Sequence, residues 1–193
     1  LIAGGWGNGS YLASAELYDP TTGVFTNTGY MNTARYWHTA TLLPNGEILI
    51  EGGYNGIVGC LSSAELYCPP GEGGVFSPNK WLTPPPTVFS QAEHTATLLS
   101  NGKVLIAGGW GFYGPSMSTL VAELYDPATG NCEPTGWMSD GRRGHTATLL
   151  PSGKVLITGG NDYLGVTHAT AELYNPATGI FSFTGSMSLP RVL

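Results

Sequence analysis

Charged residues are scarce in this chain of 193 residues: Asp, Glu, Lys and Arg together make up 10% of it, against about 25% in an average globular domain. The net charge of −6 leaves no basic surface of the kind that binds nucleic acid. No apolar run reaches the roughly 18 to 20 residues that a membrane-spanning helix needs. The composition therefore excludes nucleic acid as a partner and predicts no membrane span in this segment.

Cysteine is also rare, with three residues at positions 60, 68 and 132. An odd number at irregular spacing matches neither a disulfide framework nor a zinc motif. Cys60 and Cys68 lie at opposite ends of one predicted strand, and a rise of about 3.3 Å per residue holds them too far apart to form a disulfide with each other. We therefore expect Cys60, Cys68 and Cys132 to be free thiols.

Glycine is abundant, with 29 residues, and so is proline, with 14, while the apolar fraction stays at 41%. This combination favours many short strands joined by tight turns. The low lysine content and a glycosylation-type sequon at Asn8-Gly9-Ser10 are compatible with an extracellular or cell-surface location. We predict that location.

Four copies of one pattern run through the sequence. The string His-Thr-Ala-Thr-Leu-Leu is followed by a turn, an apolar run, a glycine pair and a variable loop; its copies begin at His38, His94 and His145. The string Ala-Glu-Leu-Tyr follows each loop, at Ala15, Ala64, Ala122 and Ala171. Successive glycine pairs are 48, 56 and 51 residues apart. A period near 50 with four strand-like segments is typical of a propeller blade.

The pattern resembles the kelch-repeat family over essentially the whole chain. The strings His-Thr-Ala-Thr-Leu-Leu and Ala-Glu-Leu-Tyr resemble those of the bacterial kelch-repeat proteins in particular. The glycine pair after the second strand and the tyrosine of the third strand match the family's pattern. The tryptophan that the family carries in its fourth strand is replaced here by Phe25, Phe76, Cys132 and Phe181. The resemblance implies an all-β fold of kelch-type β-propeller blades, each a four-stranded antiparallel sheet. About four blades are covered, as part of a six- or seven-bladed propeller or, alternatively, as a four-bladed ring.

The repeat predicts one propeller region over 1–193. Its blades are 1–30, which lacks a first strand, 31–86, 87–137 and 138–186, and residues 187–193 lead into a further blade. In the first complete blade we predict strands at 37–43, 47–51, 62–67 and 74–77. The segment Leu82-Thr83-Pro84-Pro85-Pro86 is predicted to be a stiff inserted loop without chemistry.

Residues that recur at the same place in each blade are predicted to hold the blades together. They are His38, His94, His145, Glu16, Glu65, Glu123, Glu172, Arg35, Arg142 and Arg191. A buried carboxylate needs a partner, so we expect a repeated contact of these glutamates with either the histidines or the arginines. Gln91 replaces the arginine in one blade, where an arginine-based contact would be incomplete.

Binding residues are expected where the sequence varies while the repeat stays constant. The loops after the glycine pairs, 6–14, 54–63, 110–121 and 161–170, share one face with the connections between blades. That face gathers Trp6, Tyr11, Tyr36, Trp37, Tyr54, Trp110, Phe112, Tyr113, Trp137 and Tyr163. Exposed aromatic side chains on variable loops mark sugar- or protein-binding surfaces. The alternative is that these rings simply cover the glycine-rich blade ends.

We therefore predict a non-catalytic binding or scaffold module whose partner is a protein or a glycan. A second hypothesis is a structural building block that self-associates through an unpaired strand edge. A third is the propeller part of a larger enzyme such as a copper radical oxidase; the resemblance implies that such an enzyme needs a dedicated Tyr, His and Cys set, which the repeat positions do not supply. No hydrolase elbow or metal-binding pair occurs, Asn161-Asp162 is interpreted as a turn, and no cofactor or metal is predicted.

Overall fold

The computed structural model describes residues 1–70, 80–113 and 116–192, with the backbone alone described at 112, 113 and 116–118. Every regular element within these ranges is a β-strand. No helix in them has the length and apolarity needed to cross a membrane. The strands form four successive groups, which we call units 1 to 4, one for each copy of the repeat.

The strand bounds repeat from unit to unit. Unit 1 contains β1 (Ile2–Ala3), β2 (Trp6–Gly7), β3 (Ser10–Tyr11), β4 (Ser14–Asp19) and β5 (Val24–Tyr30). Unit 2 contains β6 (Thr39–Leu42), β7 (Ile48–Glu51), β8 (Tyr54–Asn55), β9 (Gly59–Cys60), β10 (Ala64–Cys68) and β11 (Lys80–Leu82). Unit 3 contains β12 (Thr95–Leu98), β13 (Val104–Ala107), β14 (Trp110–Tyr113), β15 (Ser116–Ser118), β16 (Ala122–Asp126) and β17 (Asn131–Pro134). Unit 4 contains β18 (Thr146–Leu149), β19 (Val155–Thr158), β20 (Ala171–Asn175) and β21 (Ile180–Phe183).

Units 2, 3 and 4 each contain a four-stranded antiparallel sheet, as predicted, whose strands follow in chain order; unit 1 contains the three-stranded sheet β1-β4-β5. In units 1 to 3 a two-stranded hairpin, β2-β3, β8-β9 or β14-β15, is inserted between the two middle strands of the pattern. Strand β12 contacts both β6 and β18. The sheets therefore follow one another with their first strands side by side.

The core lies between neighbouring sheets, and β13 shows why its sequence is apolar without interruption. Val104 and Ile106 pack into a buried cluster shared with unit 2. Leu105 and Ala107 pack into a second cluster shared with unit 4. Because successive residues of a strand point to opposite faces, one strand contributes to two cores, and a strand buried on both faces has no polar side.

The glycine pair Gly52-Gly53 shows why this position of the repeat excludes other residues. Both glycines have positive φ, +65° and +92°, a region that other residues enter at a cost. A Cβ on Gly52 would lie 2.5 Å from the Gln91 carbonyl oxygen, and one on Gly53 would lie 2.8 Å from the Tyr36 carbonyl oxygen. The close approach of two backbones therefore requires glycine.

The fourth strand of unit 2 differs from the prediction. The predicted strand 74–77 and Phe76 lie outside the described residues, and the sheet is instead completed by β11, where Trp81 lies opposite Tyr67 with ring centroids 5.1 Å apart. The partners of the equivalent tyrosines in units 1, 3 and 4 are Phe25, Cys132 and Phe181. Trp81 thus takes the place assigned to Phe76, and Leu82, which we had placed in the loop, ends the strand.

Candidate binding face

One end of the sheets carries the glycine pairs, the inserted hairpins and the segments that enter each first strand. Isolated bridges join these segments to the residue that follows each glycine pair: Tyr36 with Tyr54, Ala92 with Trp110, and Arg143 with Asn161. Because adjacent strands are antiparallel, these features lie at the same strand ends. We call this end the loop face.

Buried arginines support the loop face from beneath. Arg35 donates through Nη2 to Glu65 Oε1 at 3.0 Å and through Nη1 to the carbonyl oxygens of Gly52 at 2.7 Å and Ser63 at 2.8 Å. Both side chains of the ion pair are buried. Burial lowers the pKa of Arg35, and the negative charge of Glu65 opposes that shift. The arginine therefore joins the third-strand glutamate to the glycine pair of its own unit.

Unit 4 repeats this arrangement. Arg142 donates to Glu172 Oε1 at 3.1 Å and to the Gly159 carbonyl oxygen at 2.9 Å. Of the two partners expected for the glutamates, arginine is thus the one used in units 2 and 4. Glu16 of unit 1 is exposed, contrary to the expectation that it is buried.

Unit 3 has a weaker version of the contact. Gln91 Nε2 donates to Glu123 Oε1 at 3.2 Å, and the Val88 amide donates to Glu123 Oε2 at 2.8 Å. Both side chains are fully buried. Burial, and next the charge of Glu51, raises the pKa of Glu123 to about 7. The neutral glutamine leaves this carboxylate without the positive charge that its counterparts have.

The repeat histidines contact the preceding unit. His145 Nε2 lies 2.9 Å from Thr95 Oγ1, and His94 Nε2 lies 3.1 Å from Thr39 Oγ1 and 2.6 Å from Glu51 Oε2. Burial lowers the pKa of His145 to about 3 and that of His38 to about 4, so both rings are neutral at physiological pH. These contacts support the structural role predicted for the histidines.

A backbone hydrogen bond joins each unit to the one before it. The carbonyl oxygen at the arginine position accepts from the second glycine of the preceding pair, over 2.7 to 2.8 Å, in the pairs Arg35–Gly5, Gln91–Gly53, Arg142–Gly109 and Arg191–Gly160. We call this bond the inter-unit joint. Arg191 makes the joint with its backbone, which matches the position that the spacing predicts for it, and its side chain is exposed.

Six of the predicted aromatic residues form a continuous row across units 1 to 3. The row runs through Trp6, Tyr11, Tyr36, Trp37, Tyr54 and Trp110, with neighbouring ring centroids 4.0 to 6.2 Å apart. Tyr11 covers Gly56 of the next hairpin, where a Cβ would lie 2.9 Å from its hydroxyl oxygen. The ring of Tyr11 therefore covers glycine backbone, as the alternative interpretation expects.

Two tryptophans of the aromatic row remain accessible to solvent: Trp6, which is 57% exposed, and Trp37, which is 47% exposed. Trp37 has a φ of +57°, which is a strained value for a bulky residue. Its ring stacks on Tyr36 at 4.0 Å and its carbonyl oxygen accepts a hydrogen bond of 3.1 Å from the Glu93 amide. The equivalent positions of units 3 and 4 are Glu93, with a φ of +56°, and Gly144, with a φ of +57°. The chain thus carries an indole where glycine would be unstrained.

A second feature of the loop face is a cleft of about 400 Å³ between units 3 and 4. Two predicted residues, Trp137 at 63% exposure and Tyr163 at 47%, line this cleft. Asp140, Asp162 and His168 also line it, together with the buried Thr119. Asp162 Oδ1 accepts hydrogen bonds from the amides of Leu164 and Val166, both at 2.9 Å, so the turn predicted at Asn161-Asp162 is present.

The sequence prediction therefore located the aromatic residues but missed the polar groups of the cleft. Asp140, His168 and Thr119 belong to no repeated string, and the stacking of two sheets brings them together. The side chains of Phe112 and Tyr113 lie outside the described part of the structure; their backbone belongs to β14.

Cys60, Cys68 and Cys132 are free, as predicted. Burial raises the pKa of the Cys60 and Cys68 thiols to about 11. Within the described ranges, no group of three or more His, Cys, Asp or Glu side chains is placed to hold a metal ion.

Comparison with known proteins finds a similarity in structure and none to a family model or a curated protein. No family model matches the sequence, and no curated protein matches it either. The solved structure of YjhT superimposes with a TM-score of 0.74 at 14% sequence identity, over 97% of this chain and 63% of the YjhT chain. This chain therefore shares its all-β, repeated-sheet architecture with a protein of which it spans less than two thirds.

Proposed function

We propose that this chain is part of a kelch-type β-propeller of an extracellular or cell-surface protein, and that its loop face binds glycans without catalysing a reaction. The propeller assignment is supported by the four repeated units, by first strands that lie side by side, and by the inter-unit joint. In this arrangement each unit is a blade. The fold by itself says nothing about the ligand.

One observation carries the binding function: the aromatic row leaves the indoles of Trp6 and Trp37 in solvent. Tryptophan and tyrosine side chains are enriched at binding interfaces. The positive φ of Trp37 recurs at Glu93 and Gly144, so the backbone conformation belongs to the repeat and the exposed indole is what distinguishes this position. The half-buried rings beneath hold both indoles in place.

A glycan array tests the proposal. We expect the folded protein to retain a defined set of oligosaccharides, and Trp6→Ala and Trp37→Ala to weaken that binding by about tenfold or more. Ile180→Ala is the matched control, because Ile180 is 60% exposed at the opposite strand ends, and it should leave binding unchanged. An array without any retained glycan would overturn the proposed function.

A further inference from the structure

The cleft between units 3 and 4 has the size and lining of a small-ligand site separate from the aromatic row. Its volume of about 400 Å³ lies in the range of roughly 300 to 1,000 Å³ that small-molecule pockets have. We infer that it binds one pyranose residue that carries no anionic substituent. This inference rests on the proposed glycan-binding function and narrows its ligand class.

The aromatic side chains supply the apolar contact. Trp137 and Tyr163 lie on different units and both line the cleft. Trp137 enters from the connection that precedes β18, and Tyr163 from the loop between β19 and β20. A pyranose has an apolar face of C–H groups and an edge of hydroxyls, so it can stack on one ring while its hydroxyls remain available for hydrogen bonds.

The carboxylates determine the charge that the cleft accepts. Asp162 uses Oδ1 for its turn, and its Oδ2 accepts no hydrogen bond from the described residues. Asp140 Oδ2 accepts from Thr170 Oγ1 at 2.8 Å and from Arg142 Nη2 at 3.4 Å, and that arginine is fully buried behind it. Among the described residues, no lysine or arginine lines the cleft.

An ionised carboxylate only accepts hydrogen bonds. Sugar hydroxyls are donors and suit the free oxygen of Asp162. A carboxylate or sulfate on the ligand would face the charge of Asp162, which has no ion pair among the described residues, beside Asp140, whose charge is partly offset by Arg142. The juxtaposition of like charges disfavours such a ligand. The lining therefore favours neutral sugars over uronic acids, sialic acids and sulfated sugars.

Two further lining residues have unused hydrogen-bonding capacity. Thr119 is 4% exposed, and neither its Oγ1 nor the Nε2 of His168 has a hydrogen-bond partner among the described residues. Leaving a buried polar group unpaired is unfavourable. Both atoms lie below the surface, so contact with a ligand hydroxyl requires these side chains to rotate toward the cleft. A bound pyranose would then satisfy a group that has no hydrogen-bond partner among the described residues of the free protein.

The test compares variants on an array that carries neutral and N-acetylated oligosaccharides beside sialylated, sulfated and uronic-acid ones. We expect binding to neutral members, with a loss of about tenfold or more in Trp137→Ala and a smaller loss in Thr119→Val. Thr119→Val keeps the shape of the side chain and removes a hydroxyl that has no partner among the described residues, so thermal unfolding should show no loss of stability. Asp162→Asn keeps the Oδ1 acceptor of the turn and should improve binding of acidic sugars relative to neutral ones.

The outcomes separate this inference from the proposed function. If the bound glycans are acidic, or if Trp6→Ala weakens binding while Trp137→Ala and Thr119→Val have no effect, the cleft is not the site and the binding function stands. If no glycan is retained, both proposals fail. A reduced thermal stability of Thr119→Val would show that its hydroxyl has a structural partner, which contradicts the argument from unpaired groups.

Discussion

Gln91 Nε2 donates a 3.2 Å hydrogen bond to Glu123 Oε1 at the place where Arg35 and Arg142 form ion pairs with Glu65 and Glu172. Unit 3 therefore keeps the geometry of the contact and lacks its positive charge. Burial, and next the charge of Glu51, raises the pKa of Glu123 to about 7, and unit 3 has no arginine beside this carboxylate to oppose that shift.

We predict that Glu123→Gln becomes more favourable as pH rises. The folded pKa of about 7 lies above the reference value of 4.5, so the folded state binds more protons between these values and the carboxyl lowers stability as pH increases through them. Between about pH 5 and pH 8, the free energy of unfolding of the variant should gain roughly 2 to 3 kcal/mol relative to the wild type. Urea unfolding at both pH values measures this, and a pH-independent difference would contradict it.

Gln91→Arg should supply the missing charge. The new guanidinium would lower the pKa of Glu123 and remove most of the pH-dependent loss that Glu123 causes. The same unfolding experiment applies, with the double variant Gln91→Arg/Glu123→Gln as control, because an arginine without its carboxylate should destabilise the protein. If Gln91→Arg retains the full pH dependence, the pairing does not form.

Two neighbouring arginines should respond differently to alanine. Arg142 is fully buried and paired with Glu172, so Arg142→Ala leaves an uncompensated buried carboxylate and should cost about 3 to 5 kcal/mol. Arg143 is 31% exposed and lies 3.8 Å from Glu93, and an exposed pair of this kind contributes about 0 to 1 kcal/mol. Chemical denaturation of both variants measures the contrast; equal losses would refute it.

Two glycines with similar backbone angles should also differ. Gly53 has a φ of +92° and an added Cβ would lie 2.8 Å from backbone, whereas Gly153 has a φ of +78° and nothing lies within 4 Å of its Cβ position. Gly153→Ala should cost about 1 kcal/mol through backbone strain alone. Gly53→Ala should cost clearly more, because the neighbouring strand entry must also shift. Thermal unfolding of the two variants measures whether the close backbone contact at Gly53 adds to the cost of a positive φ. Equal losses would show that it does not.

The buried histidines should stay neutral in acid. Burial is the largest cause that lowers the pKa of His38 to about 4 and that of His145 to about 3. The unfolded chain takes up protons on these residues near pH 6.5, so their contribution to stability is lost as pH falls from about 6.5 toward 4. Imidazole ¹⁵N spectra should show both rings neutral at about pH 5; protonated rings in a folded protein at that pH would contradict the assignment.

The repeat made much of the fold predictable from sequence, because each unit needs the same internal contacts and therefore the same residues. The glycine pairs and the histidines were found in this way, and the Arg–Glu contact was one of the two alternatives that the repeat left open. Trp81 was missed because it lies 14 positions after Tyr67, whereas Phe25 lies seven positions after Tyr18. Because this connection is longer than in the other units, their spacing does not locate Trp81, although Trp81 pairs with the tyrosine in the same way.

The candidate site was predictable only in its aromatic part. Loop aromatics are visible in a sequence as residues that depart from the repeat. Thr119 precedes one strand of unit 3 and His168 precedes one strand of unit 4, and their proximity depends on how two sheets stack. No local pattern encodes that distance, so the polar half of the cleft emerged from the structure alone.

The inter-unit joint has a consequence for how such a chain can lengthen. Units 2, 3 and 4 each contain both halves of the joint: a carbonyl that attaches to the unit before it and a glycine pair that accepts the segment after it. A duplicated segment would therefore bring its own means of attachment at both ends, whatever side chains its loops carry. The backbone of the joint therefore determines how units attach to one another, and the loops separately determine which side chains the loop face carries.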